Sequence, residues 1–483
     1  MPERDGNFID GAWTQAESGE TFEVVNPART DEVVSTFPLS DESDAARAVE
    51  AARAAADDWA NTPGPARGKI LREAGSLLED RREDLVQLLT REEGKTHDEA
   101  RPEVVRTVDI FYHYAEKAAD YGGTVKAANS SRKTLHTRKE PLGVAALITP
   151  WNYPIAIPAW KLAPALAAGN TVVIKPATQA PTVAAEVVGA LEEAGLPDGV
   201  VNLVTGPGSA VGEAFTTHPE VDAVSFTGSG VVGTEVYRGA TAEGKRAQAE
   251  MGGKNPTVVM PSADLDEAVS IVGAGAFGVT GQACTACSRA IVHADVYDEF
   301  VAGIVDYAES LSVGAGDEGN DMGPQISEGE LEGTLDYVDV AKTEGATLAT
   351  GGERLEDGEH ADGFFVEPTV FADVDNDSRL AQEEVFGPVL AVIRAEDFEE
   401  AVTAANDTRY GLSTSIVTDS HAEANEFVDR AEAGVVKVNE KTTGLELHVP
   451  FGGVKESSTN TFREQGDAGL DFFTTTKTVY RNY

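Results

Sequence analysis

The sequence has few of the residues on which several classes of protein depend. Its 483 residues include two cysteines, and only 38 lysines and arginines against 82 aspartates and glutamates. Two cysteines form neither a disulfide framework nor the ligand set of a structural zinc site, so we expect no metal. No uncharged apolar run reaches the roughly eighteen residues that span a bilayer. The formal net charge of −44 is spread along the chain and excludes a basic surface for nucleic acid.

The distribution of charge also bears on the environment of the protein. Residues 1–6 have neither the basic start nor the apolar core of a signal peptide, and we expect a cytoplasmic location. Dispersed acidic charge repels itself in dilute buffer, and salt near 1 M reduces the screening length to about 3 Å. We interpret the acidic surface as an adaptation to a salt-rich cytoplasm. The alternative is an acidic protein without a salt requirement.

Hydrophobic periodicity predicts the class of fold. An alanine-rich helical run ends at Trp59, and apolar residues between 70 and 78 recur at three- and four-residue spacing. After residue 143, short β-rich runs such as 144–148 alternate with segments of helical length such as 158–168. This alternation is the βαβ pattern of a parallel sheet. It predicts an α/β protein with a doubly wound dinucleotide-binding domain.

Cys284 is the candidate nucleophile, and Glu250, which stands upstream beside two glycines, is the candidate base. A soft nucleophile and a carboxylate are the groups that thioester chemistry requires. Taken alone, a cysteine in an apolar stretch is more often an inert buried residue, and a lone glutamate is more often a solvated acid. Cys287 is either a small buried residue or a thiol that forms a disulfide with Cys284.

The surrounding motifs resemble those of the aldehyde dehydrogenase superfamily. In order they are Pro-Trp-Asn-Tyr-Pro at 150–154, Val-Ile-Lys-Pro-Ala at 173–177, Phe-Thr-Gly-Ser at 226–229, Glu-Met-Gly-Gly-Lys at 250–254, Gly-Gln-Ala-Cys at 281–284, Glu-Glu-Val-Phe-Gly-Pro-Val at 383–389 and Pro-Phe-Gly-Gly at 450–453. Met251 replaces the leucine of the family motif. So many motifs in one order make chance agreement negligible, and the resemblance covers essentially the whole chain.

This resemblance implies a domain organisation. A cofactor domain with a doubly wound parallel sheet would comprise 1–120 and 142–252, and a second α/β domain, the catalytic one, would comprise 253–456. The segments 121–141 and 457–483 would serve oligomerisation, the first as a β-hairpin. The closing run 472–480 alternates as an exposed strand does, and such an edge tends to pair. We therefore expect a homodimer or homotetramer.

The resemblance also implies catalytic roles. The Cys284 thiolate would attack the aldehyde carbon, and the Asn152 side-chain amide with the Cys284 N–H would hold the oxyanion. Glu250 would activate the water that cleaves the thioester. Because relatives that transfer the acyl group to coenzyme A lack this glutamate, its presence implies hydrolysis to a free acid. Without the motif, Asn152 would be interpreted as a turn residue before Pro154.

The cofactor implied by the resemblance is NAD(P). Gly228 and Gly233 have the glycine spacing of the family's pyrophosphate loop, and Ser229 would lie at a helix N-terminus that can bind phosphate. Lys175 would bind the adenosine ribose. Glu384 and Phe386 would position the nicotinamide ribose and ring, and Trp151 is a further cofactor-binding residue.

Thr178 indicates which cofactor is used. Many NAD-specific relatives have a glutamate at this position, and without that carboxylate the 2′-phosphate of NADP is not repelled. We therefore expect NADP, with NAD as the second cofactor. The alternative is that Thr178 only caps a helix and that both cofactors are accepted.

The substrate is indicated by the stretches 281–289 and 448–458, which most resemble the subgroup that oxidises α-ketoglutaric semialdehyde (2,5-dioxopentanoate). Such an aldehyde needs a cationic anchor for its distal carboxylate, for which Arg106 and Arg289 are candidates; each is otherwise a structural ion-pair partner. Succinic semialdehyde and betaine aldehyde are alternative substrates, and a catalytically idle binding protein is the alternative class. The residues that align with the aldehyde tunnel are Tyr153, Trp160, Leu445 and Phe451.

Overall fold

The computed structural model describes residues 4–483 and contains two large sheets. The strands are β1 Asn7–Ile9, β2 Ala12–Thr14, β3 Thr21–Asn26, β4 Arg29–Pro38, β5 Val125–Lys126, β6 Lys133–Pro141, β7 Val144–Ile148, β8 Thr171–Lys175, β9 Val201–Leu203, β10 Ala223–Thr227, β11 Arg246–Glu250, β12 Asn255–Val259, β13 Cys287–His293, β14 Thr347–Thr350, β15 Arg354–Leu355, β16 Phe365–Val366, β17 Thr369–Ala372, β18 Val389–Ala395, β19 Tyr410–Gly411, β20 Ser413–Val417, β21 Val435–Val438, β22 Val454–Lys455 and β23 Thr474–Asn482.

Helices cover both faces of these sheets. The α-helices are α1 Glu42–Asn61, α2 Gly64–Asp80, α3 Arg82–Glu93, α4 His97–Asp120, α5 Ala156–Ala168, α6 Thr182–Glu193, α7 Glu213–Thr217, α8 Gly230–Ala242, α9 Leu265–Phe277, α10 Tyr297–Ser310, α11 Glu328–Glu344, α12 Arg379–Gln382, α13 Phe398–Asn406, α14 His421–Arg430 and α15 Gly466–Phe472. Shorter helical turns occupy Gly208–Gly212, Gly278–Gly281, Ala294–Val296 and Gly358–His360.

The first sheet has the order β11-β10-β7-β8-β9-β1-β2, and its strands are parallel from β11 to β9. Alternate side chains of β7 enter two different apolar clusters. Val144 and Ala146 pack with α1 residues such as Ala48, whereas Ala145 and Leu147 pack in the cluster that includes α4 to α6. A sheet buried on both faces by helices is doubly wound, which confirms the predicted fold of this part.

The second sheet has the order β14-β17-β18-β13-β12-β20-β21, and only the edge strand β14 runs antiparallel to its neighbour. Strand β13 shows the same two-sided burial, with Ile291 in one apolar cluster and Ala290 and Val292 in the other. This second α/β unit confirms the predicted fold class. The limits of the domains at 252 and 456 stay predictions.

The predicted hairpin segment forms part of a third, smaller sheet. Strand β6 pairs antiparallel with β23 along nine residues, and β5 pairs with the other side of β6. Side chains on β23 are mostly exposed, including Tyr480, and no strand in residues 4–483 pairs with its outer edge. Within the same residues, no helix has the length and apolar character needed to cross a membrane.

The strand order brings the predicted motifs together. Strands β7, β10 and β11 are neighbours, and the chain continues from their carboxyl ends into Trp151, Gly228 and Met251. In parallel sheets, ligands bind outside the carboxyl ends of the strands. The segment that precedes β13 carries Cys284 from the second unit into the same space.

Candidate active site

Seven of the predicted site residues surround one cavity of about 180 Å³. It lies at the carboxyl ends of β7, β10 and β11. Its lining residues are Pro150, Trp151, Asn152, Thr227, Gly228, Ser229, Met251, Gly252, Cys284, Glu330, Glu384 and Phe386. Seven motif-derived site residues are therefore brought together, whereas Glu330 was not anticipated from the sequence.

Glu250 is the last residue of β11 and is only 2% exposed. One carboxylate oxygen accepts the backbone N–H of Gly453 at 2.9 Å, and the other accepts the hydroxyl of Ser458 at 2.8 Å. Burial, together with the nearby Glu464, raises the pKa of Glu250 to about 8. The two hydrogen-bond donors favour the charged form and therefore act in the opposite direction. A carboxyl group with this pKa can both take up and release a proton near neutrality.

Cys284 is half-buried and follows a strained turn. Val279 and Thr280 have φ angles of 53° and 54°, in the left-handed region that β-branched residues rarely occupy. Gly281 is held closely, since a Cβ there would lie 2.2 Å from the carbonyl oxygen of Gly387. Burial, and then the carboxyl groups of the site, raise the pKa of the Cys284 thiol to about 12. In the resting protein the thiol is protonated.

Cys287 has a different environment. Its thiol contacts the hydroxyl of Thr257 at 3.2 Å, and its side chain belongs to the apolar cluster that includes Val272 and Phe277. These contacts favour the interpretation of Cys287 as a small buried core residue.

Asn152 is buried beside the cysteine segment, and its side-chain amide donates to the carbonyl oxygen of Gln282 at 2.9 Å. The backbone carbonyl oxygen of Asn152 accepts a hydrogen bond from the Lys95 ammonium at 2.8 Å. Lys95 in turn pairs with Glu103 at 2.7 Å, and Glu103 accepts two backbone N–H groups at the start of α5. A buried ion pair therefore fixes the loop that carries Asn152.

Another part of the cavity wall is formed by Glu384, whose carboxylate accepts the N–H of Gly253 at 3.0 Å. A Cβ at Gly252 would lie 1.8 Å from the same carboxylate, so only glycine fits there. Phe386 has a φ of 61° and meets Trp151 edge to face, with ring centroids 5.3 Å apart. Burial raises the pKa of Glu384 to about 7.

The glycine-rich loop leads into α8. Ser229 is its N-cap residue, and the Ser229 side chain makes no capping hydrogen bond. A Cβ at Gly230 would have no neighbour within 4 Å, so the N-terminus of the helix is open to a ligand. Gly233 lies one turn further on, and a Cβ there would come 2.7 Å from Met251. Gly233 therefore shapes the site by close helix packing and does not line the cavity.

Lys175 ends β8 and is buried, with its ammonium donating to the carbonyl oxygen of Pro176 at 2.8 Å. Burial lowers the pKa of Lys175 to about 8. Thr178 lies in the following loop, and its hydroxyl contacts the side chain of Gln179 at 3.2 Å. It precedes the cap of α6, which is Pro181, and makes no capping bond. The structure therefore contradicts the alternative of a capping role for Thr178.

The expected tunnel residues lie on the α4 and α5 side of the site. Trp160 packs against Phe451 with ring centroids 6.1 Å apart, and the Lys95 ammonium lies 4.5 Å from the Tyr153 ring centroid. Arg106, on α4, donates a hydrogen bond to the carbonyl oxygen of Leu445.

Comparisons with known proteins identify the family. The model of the aldehyde dehydrogenase family matches residues 13–479. The chain belongs to the aldehyde dehydrogenase family. It is 63% identical over 483 residues to an alpha-ketoglutarate semialdehyde dehydrogenase of Haloferax volcanii, with both chains fully covered. It is also 45% identical to a 2,5-dioxopentanoate dehydrogenase of Saccharolobus solfataricus, over 96% of this chain and 97% of the relative.

A solved structure of a relative supports the same fold. The betaine aldehyde dehydrogenase of Staphylococcus aureus, in complex with NAD+, superposes with a TM-score of 0.96 at 35% identity. The match covers 99% of this chain and 95% of that chain. The protein is thus an NAD(P)-dependent aldehyde dehydrogenase, and the predicted family and enzyme class are confirmed.

One predicted substrate residue of this aldehyde dehydrogenase lies elsewhere. Arg289 is 0% exposed, within β13. Its guanidinium donates to the carbonyl oxygens of Lys254, Ala404 and Ala405 and to the side chain of Asn376, at 2.9 to 3.1 Å. The prediction of Arg289 as a carboxylate anchor is therefore wrong, and so is its interpretation as an ion-pair partner. Three backbone carbonyls and the Asn376 side chain take up its donors.

The dehydrogenase also contains a buried pair that motif reasoning missed. Lys161 contacts the carboxylate of Glu464, which Gln248 also reaches at 3.2 Å, while the second Glu464 oxygen has no partner in residues 4–483. The proximity of Glu464 helps to raise the pKa of Glu250. One signal was available, because Lys161 is the only charged residue in the apolar sequence of α5.

Proposed function

We propose that this enzyme oxidises α-ketoglutaric semialdehyde to 2-oxoglutarate by a hydrolytic mechanism. The observation that carries the proposal is the convergence of Cys284 and Asn152 in one cavity, beside the buried carboxyl group of Glu250. The names of the relatives from Haloferax volcanii and Saccharolobus solfataricus support the choice of aldehyde. The same convergence argues against the alternative of a catalytically idle protein.

The residues around the cavity fit a nicotinamide cofactor. The cavity is bounded by the aromatic rings of Trp151 and Phe386, and Gly252 leaves room that a Cβ would fill. The open N-terminus of α8 with the free Ser229 side chain fits a pyrophosphate. When bound, the cofactor supplies the hydride acceptor for the oxidation. Glu384 and Lys175 would hold the two riboses.

In the acylation half-reaction, the sulfur of Cys284 bonds to the aldehyde carbon as the thiol proton moves to a base, for which Glu250 is positioned. The oxygen of the aldehyde then carries negative charge. Asn152 has two amide N–H donors, and only one of them is used by Gln282, so the second can hold this oxygen together with the Cys284 N–H. Loss of hydride from the carbon leaves a thioester on the sulfur.

In the deacylation half-reaction, water cleaves the thioester. The Glu250 carboxylate takes a proton from the water, whose oxygen bonds to the acyl carbon, and the C–S bond breaks to release the carboxylic acid. The thiolate recovers a proton. Because the pKa of Glu250 is about 8, enough carboxylate is present near neutral pH for this step.

We further propose that NADP is used at least as well as NAD. Thr178 follows the buried Lys175, and no carboxylate at this position opposes a 2′-phosphate. The enzyme is also proposed to act as a homodimer or homotetramer. The unpaired outer edge of β23, with the exposed Tyr480, is a surface that a second copy can cover. The cytoplasmic location stays a prediction.

Steady-state kinetics with both cofactors in molar salt test the proposal. The substrates are α-ketoglutaric semialdehyde, succinic semialdehyde, betaine aldehyde and pentanal. We expect the highest kcat/KM for α-ketoglutaric semialdehyde, with formation of 2-oxoglutarate and no requirement for coenzyme A. A higher kcat/KM for betaine aldehyde, or no formation of reduced cofactor with any of these aldehydes, would contradict it.

A further inference from the structure

Helix α4 contains an arginine without an acidic partner, beside the predicted tunnel residue Leu445. Arg106 is half-buried on α4, and its guanidinium donates to the carbonyl oxygen of Leu445. Within residues 4–483, no carboxylate lies within ion-pairing distance of its guanidinium. A guanidinium has five N–H donors, so most of its hydrogen-bonding capacity is unused.

Another arginine of the same helix forms an ordinary surface ion pair. Arg101 is exposed and forms a two-pronged ion pair with Glu83, with one N–O distance of 2.9 Å. The lack of an acid at Arg106 is therefore not a property of the helix as a whole. Leu445, which Arg106 contacts, lies in the segment that reaches the predicted tunnel residue Phe451.

Trp160 provides a second unused donor. Its indole N–H is buried and has no acceptor in the described part of the chain. Helices α4 and α5 run side by side in the same direction, since Glu103 binds the N–H of Ala156 and Tyr114 lies near Pro164 through Gly469. Arg106 is one turn beyond Glu103, and Trp160 is one turn beyond Ala156. The two residues thus lie at the same level of the two helices.

We propose that Arg106 binds the distal carboxylate of the aldehyde substrate and that the indole N–H of Trp160 donates to the same end of the molecule. This inference rests on the proposed function. A 2-oxo acid offers a carboxylate for the paired N–H groups of a guanidinium and a keto oxygen for a single donor. A cation at this place also repels the quaternary ammonium of betaine aldehyde, which separates the proposed substrate from that alternative.

The test compares Arg106→Met with the matched control Arg101→Met. For each variant, kcat/KM is measured with α-ketoglutaric semialdehyde and with the neutral aldehyde pentanal. Loss of a charge-assisted contact should lower kcat/KM for the carboxylated aldehyde about 100-fold, mainly through KM, and change that for pentanal less than about threefold. Arg106→Lys should recover about tenfold, because it keeps the charge without the planar fork. Arg101→Met should match the parent.

Trp160→Phe keeps the ring and removes the N–H, and it should lower kcat/KM for the carboxylated aldehyde about fivefold relative to pentanal. Equal losses for both aldehydes in Arg106→Met would show that Arg106 only supports the segment around Leu445, which overturns the inference. If both the parent enzyme and Arg106→Met prefer α-ketoglutaric semialdehyde to pentanal, the role of Arg106 is overturned and the proposed function stays intact. A parent without any preference for carboxylated aldehydes would refute both.

Discussion

Replacement of Ser458 by alanine should move the pH dependence of thioester hydrolysis to higher pH. The Glu250 carboxylate has two donors in the structure, the hydroxyl of Ser458 at 2.8 Å and the N–H of Gly453 at 2.9 Å. Both favour the charged form, whereas burial and Glu464 favour the neutral form and raise the pKa to about 8. Ser458→Ala removes one of the two stabilising donors. The pKa of Glu250 should therefore rise further.

The size of the shift follows from the strength of the lost contact. A hydrogen bond to a charged group contributes about 1.5–3 kcal/mol, and one pKa unit corresponds to about 1.4 kcal/mol. The pKa of Glu250 should thus rise by about one to two units. At pH 7 the ionised fraction of a group with a pKa of about 8 is about one in ten. One unit more reduces it to about one in a hundred, so hydrolysis at pH 7 should slow about tenfold and recover at higher pH.

Rapid mixing with aldehyde between about pH 6.5 and 9.5 separates the two half-reactions. The burst of reduced cofactor reports acylation, and the later steady rate reports hydrolysis when that step limits turnover. Ser457→Ala is the control, because the Ser457 hydroxyl donates to the carbonyl oxygen of Gly252 at 2.7 Å and does not contact the carboxylate. A midpoint that stays in place in Ser458→Ala, or shifts equally in Ser457→Ala, would refute the reasoning.

The remaining predictions concern the nucleophile, the cofactor and salt. Cys284→Ala should abolish both burst and turnover, whereas Glu250→Gln should retain part of the burst and lose steady hydrolysis; turnover of Cys284→Ala within tenfold of the parent would exclude a covalent mechanism. Thr178→Glu should raise the NAD-to-NADP ratio of kcat/KM about tenfold, and a parent that strongly prefers NAD would contradict this. Enzyme activity and oligomer assembly, the latter followed by sedimentation, should both require salt near 1 M, because 44 net negative charges repel one another at lower salt. A fully active oligomer in dilute buffer would contradict this.

The residues that the sequence predicted correctly near the cavity belong to contiguous motifs. Trp151 and Asn152 directly follow β7, Gly228 and Ser229 follow β10, and the strand order brings both segments together. In a parallel sheet, the position of a residue after a strand already indicates the edge at which it lies. This explains why a one-dimensional pattern located most of the cavity.

The residues that the sequence did not predict depend on contacts between distant segments. Glu464 reaches Lys161 across 303 positions, and no local pattern links the two. Arg289 was misinterpreted for a related reason. Three of its four acceptors are backbone carbonyl oxygens, including that of Ala405 in α13, and a backbone carbonyl leaves no mark in the identity of a residue. The partners of charged residues at such positions can be assigned only from the folded structure.

The thiol and carboxyl groups of the site limit one another's ionisation. Cys284, Glu250 and Glu384 are buried or half-buried around one cavity, and each carboxylate raises the pKa of the thiol. Like charges at short range in a medium of low dielectric cannot all be present at once, so a thiolate forms most easily when a neighbouring carboxyl group is protonated. Proton transfer from Cys284 to Glu250 meets this condition, because it exchanges one negative charge for another without adding to the total. The later transfer from water to Glu250 can occur only after that proton has left, which separates acylation and hydrolysis in time.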